Sequence, residues 1–290
     1  MKTFFPENIR GYKRKHLIGS GSESQVWLYK KDGCFFAIKY GTSEPEIPSH
    51  KNICAVVEKI SEEGHSWTVM EYLGSISVYD VICRKPVPKE VACGWMRQLC
   101  EALDFVHEKG IAHCDIKCEN IMIHKKTPKF IDWGFSEVLG NQKNTAKGSF
   151  EYCAPEIFGP YERDLCACDV WSLGVVFFCM LTSTFPFHGR NTEELLKSIK
   201  EKKFVLERPK EEREFFLWLF QRKYRKRPTI KKILEHKFLM GQYQSVPSAE
   251  EVEKQKKQET KETPLIQKGE SKDSERGRKE RHQRPYKKYS

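Results

Sequence analysis

The stretch IAHCDIKCENIMI, Ile111 to Ile123, sets a histidine, two cysteines, an aspartate, a lysine, a glutamate and an asparagine between apolar ends. Three chemistries use such a set: a metal centre, a cysteine nucleophile, or a loop that arranges acids and an amide around a phosphate. His113, Cys114 and Cys118 fall at no common zinc spacing. Cys114 as a nucleophile needs a histidine base, and its neighbour His113 points the other way on an extended backbone. The phosphate reading gains support further on. KFIDWG, Lys129 to Gly134, brings Asp132 to the end of an apolar strand. Asp132 and Asn120 are hard oxygen ligands of the kind that hold Mg2+ against nucleotide phosphates.

Working outward, the stretch follows EVACGWMRQLCEALDFVHEKG, where Val91, Trp95, Leu99, Leu103 and Val106 recur at helical spacing and Gly110 supplies a stop. A strand-like IMIHKK comes after it. A loop held between two such elements is a rigid seat for reacting groups. ACDVWSLGVVFFCML, TEELLKSIKEKK and EREFFLWLFQRKY extend the helical pattern. Before Met70 the pattern differs. KRKHLIG, SQVWLYKK, CFFAIKYG, NICAVVEKIS and SWTVMEY are short, aromatic or β-branched, and read as strands. Within them IGSGSESQV, Ile18 to Val26, offers Gly19 and Gly21 on a turn where backbone N–H groups can approach phosphate oxygens. A plain Gly-Ser hairpin is an equally open reading. Lys39 in FFAIK is either an edge lysine or a cation set beneath that turn.

The bounds agree with a soluble globular chain. Its 290 residues are 39% hydrophobic and 31% charged, with a net charge of +11. The N-terminus lacks the order of a secretory signal. The longest apolar run, Val170 to Leu181, is short for a bilayer span and reads as a core helix. Eleven cysteines without a C-x-x-C pair read as free thiols in a reducing compartment, which with the missing signal implies a cytoplasmic protein. From about Ser245 the apolar periodicity ends in a Lys-, Glu-, Gln- and Ser-rich tail that cannot offset ordering entropy. Its basic stretch, Arg276 to Lys288, is either a solvated tail or a nuclear-import or polyanion patch.

Taken in order from about Tyr12 to Phe238, the pieces resemble a eukaryotic protein kinase of serine/threonine type. GSGSESQV resembles the glycine-rich loop, FAIK the strand lysine, HCDIKCEN the catalytic loop and DWG the metal motif. APE, DVWSLGV and KRPT follow in the family's order. The resemblance implies an α+β, bilobal fold over residues 1–240. A small β-rich N-lobe would span about 1–73 and a larger α-helical C-lobe about 74–240, with 241–290 as a disordered tail. It implies ATP and Mg2+ as cofactors. Ile18, Gly19, Gly21, Val26 and Ala37 would lie above the nucleotide and Met122 below the adenine. Lys39 would meet the α- and β-phosphates, Met70 would be gatekeeper, and Glu71 to Leu73 the hinge. Asp115 would accept the substrate proton, Lys117 would neutralise the moving phosphoryl group, and Asn120 and Asp132 would ligate Mg2+. By the same resemblance Glu156 pairs with Arg227, Asp169 braces the catalytic loop, and Ser149 lies near Asp115 and Lys117. A protein substrate is implied, with no membrane and no nucleic acid beyond weak contacts of the tail. TVMEYL, DVWSLGVVFFCMLTSTFPF and EHKFL resemble the calcium/calmodulin- and energy-sensing-kinase group. Glu119 either selects basic residues before the target or is merely solvated.

The sequence departs from the pattern at four places. Ser24 stands for the third loop glycine and Trp133 for the usual Phe. Cys114 replaces the Arg before the catalytic Asp, which in the family pairs with a phosphate on the activation segment. A phosphate on Thr145 would then lack that cation, so activity independent of activation-loop phosphorylation is expected. Between Lys39 and HKNI stand ten residues, YGTSEPEIPS, with two prolines, too few for the family's helix and its lysine-pairing Glu. Glu44, Glu46 or a partner protein could serve instead. A pseudokinase scaffold is the alternative to an active enzyme.

Overall fold

The computed structural model describes residues 4–20, 25–41, 46–139, 149–159, 163–201 and 208–240. Gly21, Ser24, Glu44, Thr145 and the 241–290 tail lie outside them. The first part is one antiparallel sheet. Its strands are β1 (Asn8–Ile9), β2 (Tyr12–Ser20), β3 (Gln25–Lys31), β4 (Cys34–Tyr40), β5 (Val56–Glu62) and β6 (His65–Glu71), in the order β1-β2-β3-β4-β6-β5. The five expected strands are present. The fourth starts later than NICAVVEKIS implies, because residues 52–54 cross to the other part. Phe130 N donates to Asn52 O (2.8 Å) and Cys54 N to Phe130 O (2.9 Å). The Asn52 amide also donates to Pro128 O (2.8 Å) and Gln98 (3.0 Å).

Alternation gives the sheet two faces. Trp27, Tyr29, Phe36, Ile38, Tyr40, Ile60, Trp67 and Val69 share one face and pack with Phe5, Ile9 and Tyr12 into a small aromatic core. The N-terminal residues lie on this core: the Trp67 indole donates to Phe4 O and the Tyr29 hydroxyl to Pro6 O, both at 2.8 Å. The other face carries Val26, Leu28, Ala37 and Lys39.

The second part holds the larger core. Its helices are α1 (Val78–Ile82), α2 (Lys89–His107), α3 (Leu165–Thr182), α4 (Thr192–Glu201), α5 (Lys210–Leu219), α6 (Ile230–Leu234) and α7 (Lys237–Met240). Four short strands lie between α2 and α3: β7 (Ile111–Ala112), β8 (Ile121–His124), β9 (Thr127–Phe130) and β10 (Glu137–Val138), paired β7 with β10 and β8 with β9. On α2, Trp95, Leu99, Leu103 and Val106 are all buried, as the spacing requires. Helix α3 is long and apolar enough by length and composition to cross a membrane, longer than its apolar run suggests. Here it is the central core helix, with Trp171, Leu173, Val175, Val176 and Phe177 all at 0% exposure. Helix α5 stops at Leu219, short of the expected Tyr224. Phe220 leaves helical geometry, and its ring packs on Trp171 and Phe187 at about 5 Å.

All eleven cysteines are free thiols, with Cys34 and Cys83 exposed and Cys93, Cys100, Cys118, Cys153, Cys168 and Cys179 buried.

Candidate active site

Cross-strand register assembles the upper wall. Gly19 lies opposite Val26, Val26 opposite Lys39, and Lys39 opposite Thr68. The adjoining row runs Leu28, Ala37, Met70, Val56. Directly opposed residues share a face, so residues spread over five strands form one surface. Ile18 adjoins Gly19 and is 37% exposed. After β6 the chain turns through Leu73, which is buried, and the Leu73 carbonyl accepts from His124 Nδ1 (3.1 Å). Glu71 does not project into the rows: its carboxylate holds Lys129 Nζ (2.5 Å) and Ala55 N (2.9 Å). What it presents at the end of β6 is backbone. Met122, on β8, forms a bridge with Ser77 beneath the turn.

The lower wall is the quoted loop. Asp169 on α3 accepts His113 N (2.8 Å) on one oxygen and Cys114 N (2.9 Å) on the other. These bonds hold Cys114 at φ 64°, a left-handed conformation that L residues adopt only when the surroundings impose it. His113 is fully buried, and burial pushes its pKa down. The neutral ring fits its partners: Nδ1 accepts Asp115 N (3.3 Å) and Nε2–H donates to Ile131 O (3.3 Å). The Trp133 ring lies 4.4 Å from the His113 ring, so the larger aromatic has its pocket.

Asp115 is thereby fixed and 4% exposed. Its Oδ2 accepts Lys117 Nζ (2.6 Å) and Asn120 Nδ2 (2.9 Å), while Ser149 Oγ lies 3.5 Å from Oδ1. Asp132 sits two residues beyond β9 at φ 58° and accepts Lys39 Nζ at 2.7 Å. Burial alone would raise the Asp132 pKa, but the Lys39 cation and the Gly134 N–H outweigh it and hold the carboxyl ionised. Glu46, one of the two candidate acids, is exposed. The other anticipated contacts are present. Arg227 makes a bidentate pair with Glu156 (2.8 and 3.0 Å).

One member of the site leaves no trace in sequence. His107, at the end of α2, bonds Asp169 Oδ2 (2.9 Å) and braces the acid that braces the loop. Burial alone would lower its pKa, yet hydrogen bonds to Asp169 and Cys166 push it up to about 10. Its partners are some 60 positions away in the chain, beyond any local pattern.

This arrangement joins the Lys39 cation, set in the strand row that carries Gly19 and Val26, with an ionised acid, an amide and an acid-lysine pair. The family profile of the protein kinase domain matches residues 12–239. The chain belongs to the protein kinase family. These kinases are ATP-dependent. Similar proteins include testis-specific serine/threonine-protein kinase 3 of Homo sapiens, 36% identical over 221 residues, and its Mus musculus counterpart, 33% identical over the same length. Each of those matches covers 68% of this chain and 82% of the relative. Serine/threonine-protein kinase ppk16 of Schizosaccharomyces pombe is 31% identical over 202 residues, 65% of this chain and 29% of its own.

Proposed function

We propose that this kinase transfers the γ-phosphoryl group of ATP to a serine or threonine hydroxyl of a protein substrate. The observation that carries the reading is the environment of Asp115. One carboxylate oxygen is held by Lys117 and Asn120, and the other is left toward Ser149, where a substrate hydroxyl would lie. Asp115 orients that hydroxyl and accepts its proton, and Lys117 offsets charge on the moving group. Ile18, Val26, Ala37, Met70, Leu73 and Met122 enclose the adenine, Gly19 covers the phosphates together with Gly21, which lies outside the described residues, and Lys39 meets the phosphates. Asp132 and Asn120 would hold Mg2+. An ionised carboxylate and one amide are a fitting donor set, because Mg2+ keeps most of its shell for phosphate and water. Held by these two residues, Mg2+ would supply positive charge against the phosphates. Holding both reactants in line is worth about 7–11 kcal/mol of the barrier.

The finer reading places the enzyme in the calcium/calmodulin- and energy-sensing-kinase group, in a domain over 1–240 with a charged tail. We propose cytoplasmic residence, with Arg276 to Lys288 as a nuclear-import patch. Glu119, exposed and within 3.3 Å of the Tyr152 hydroxyl, would favour basic residues before the target. Cys114 offers no cation, because a thiol has no positively charged form; burial and the Asp169 carboxylate only keep it neutral by pushing its pKa up. Activity is therefore independent of a phosphate on Thr145. Phosphatase treatment leaves the rate unchanged; a loss restored by rephosphorylating Thr145 overturns this.

One observation favours the alternative, a partner-dependent scaffold: Lys39 pairs directly with Asp132, so two groups needed for transfer occupy each other. A partner at residues 41–50 would supply the acid that frees them. Transfer of labelled γ-phosphate to mixed basic proteins separates the readings. Wild type is active and Asp115→Asn slower by about 10²–10⁴-fold; equal transfer by both, or none by either, refutes catalysis by this chain alone.

A further inference from the structure

The sheet carries a row of side chains that phosphoryl transfer does not use. Lys13 on β2 lies directly opposite Lys30 on β3, and Lys30 directly opposite Phe35 on β4. The three project from one face, and all are exposed, Phe35 by 47%. Lys30 Nζ sits 5.5 Å from the Phe35 ring centre, and the Tyr72 ring continues the row 6.3 Å beyond. Among the described residues no carboxylate lies within ion-pair distance of Lys13 or Lys30.

Like charges directly opposite each other destabilise a strand pair. Lysines do protect exposed sheet edges, but β3 lies between β2 and β4, so Lys30 guards none. The three strands themselves do little to compensate. Among the described residues from Tyr12 to Tyr40, Asp32 is the lone acid beside Lys13, Arg14, Lys15, Lys30, Lys31 and Lys39. An exposed aromatic ring next to two uncompensated cations is a surface whose complement is anionic and partly apolar.

We propose that the Lys13–Lys30–Phe35 row docks an acidic segment of a protein partner, with carboxylates against the two lysines and an apolar side chain on Phe35. Proteins that bind nucleic acid through its backbone draw on about 6–10 phosphate contacts. Two cations in a row suit two carboxylates better. The row continues the face of Leu28 and Ala37 toward the β3–β4 turn, and none of its side chains is bonded to Asp115, Lys117, Asn120 or Asp132, so docking and transfer are separable.

The test uses the full chain and a fluorescein-labelled peptide in which two glutamates flank a leucine, read by fluorescence anisotropy. Binding weakens with added salt and by about tenfold or more in Lys13→Glu/Lys30→Glu, because facing like charges repel across an interface. Phe35→Ala weakens it further than any change at an exposed lysine outside the row. Lys13→Ser/Lys30→Ser repeats the test without new charge should the reversal fail to fold. Phosphorylation of an uncharged substrate peptide is the same in both lysine variants and wild type. Absence of binding, or binding unchanged in both lysine variants, overturns the proposal. So does a single-stranded oligonucleotide that binds the row more tightly than the peptide and loses that binding in the same variants.

Discussion

His107 shows how one proton ties an element to the site. Its imidazolium faces Asp169, which holds the backbone of His113 and Cys114. The folded pKa of about 10 stands above the ordinary 6.5, so the folded state holds the proton more tightly than the unfolded chain. That contribution is fully present below about pH 6.5 and fades as pH rises toward 10. Urea unfolding of wild type and His107→Gln across this range should show the largest stability gap at low pH and its loss near 10. A gap that widens with pH would refute the pairing. Asp115, Lys117, Asn120 and Asp132 could be proposed from the sequence because they fall in two short windows that resemble the family's motifs. His107 and the Lys39–Asp132 contact could not, because they depend on how distant segments meet.

Between elements, the Glu156–Arg227 pair joins the short helical turn at Pro155 to Phe158 with the stretch before α6. The Arg227 side chain is 0% exposed and Glu156 5%, and Arg227 Nη1 also donates to Ala167 O at 2.6 Å. Removing one member of such a buried pair costs about 3–5 kcal/mol. Arg227→Ala should lower the melting temperature by roughly 2–4 °C for each kcal/mol lost, and Arg227→Lys should not recover it fully, since a lysine cannot make the two-pronged contact. Differential scanning calorimetry decides this. A second element-scale expectation concerns the N-terminal residues. Phe5, 7% exposed, packs on Trp27 and Tyr40. Phe5→Ala should cost about 3 kcal/mol and alter tryptophan emission. Nothing in MKTFFPEN announces this role. The segment has no period, and only the aromatic face of the sheet gives its two phenylalanines a place.

The whole molecule has two cores joined through Leu73 and the Asn52 crossing, with the candidate nucleotide cleft between them. A ligand spanning both parts stabilises both. A non-hydrolysable ATP analogue with Mg2+ at 100 times its Kd should add about 2.7 kcal/mol, and chelating the metal should remove most of that gain. A thermal shift insensitive to chelation would count against Asn120 and Asp132 as ligands. At this scale the division into a strand-rich and a helical part was legible, since short aromatic and β-branched runs before Met70 give way to apolar residues at helical spacing after it. The exact ends were not. Phe220 leaves the helix because Trp171 and Phe187 offer its ring a better site than another turn would. The strand after Ile53 starts late because Phe130 captures the backbone before it.

The cysteines bear on how long the molecule lasts outside the cell. Six are sealed in its interior, and burial lifts the pKa of Cys93 to about 11 and of Cys153 to about 12, so in the folded state they stay unreactive toward oxygen and alkylating reagents. Opening releases all six at once into an ordinary aqueous setting. In air each opening event then risks a crosslink that refolding cannot undo, and storage life becomes a matter of opening rate rather than of equilibrium. With a coloured thiol reagent, Cys34 and Cys83 should report within moments, and the slow release of the six buried thiols becomes a clock for the opening of the core.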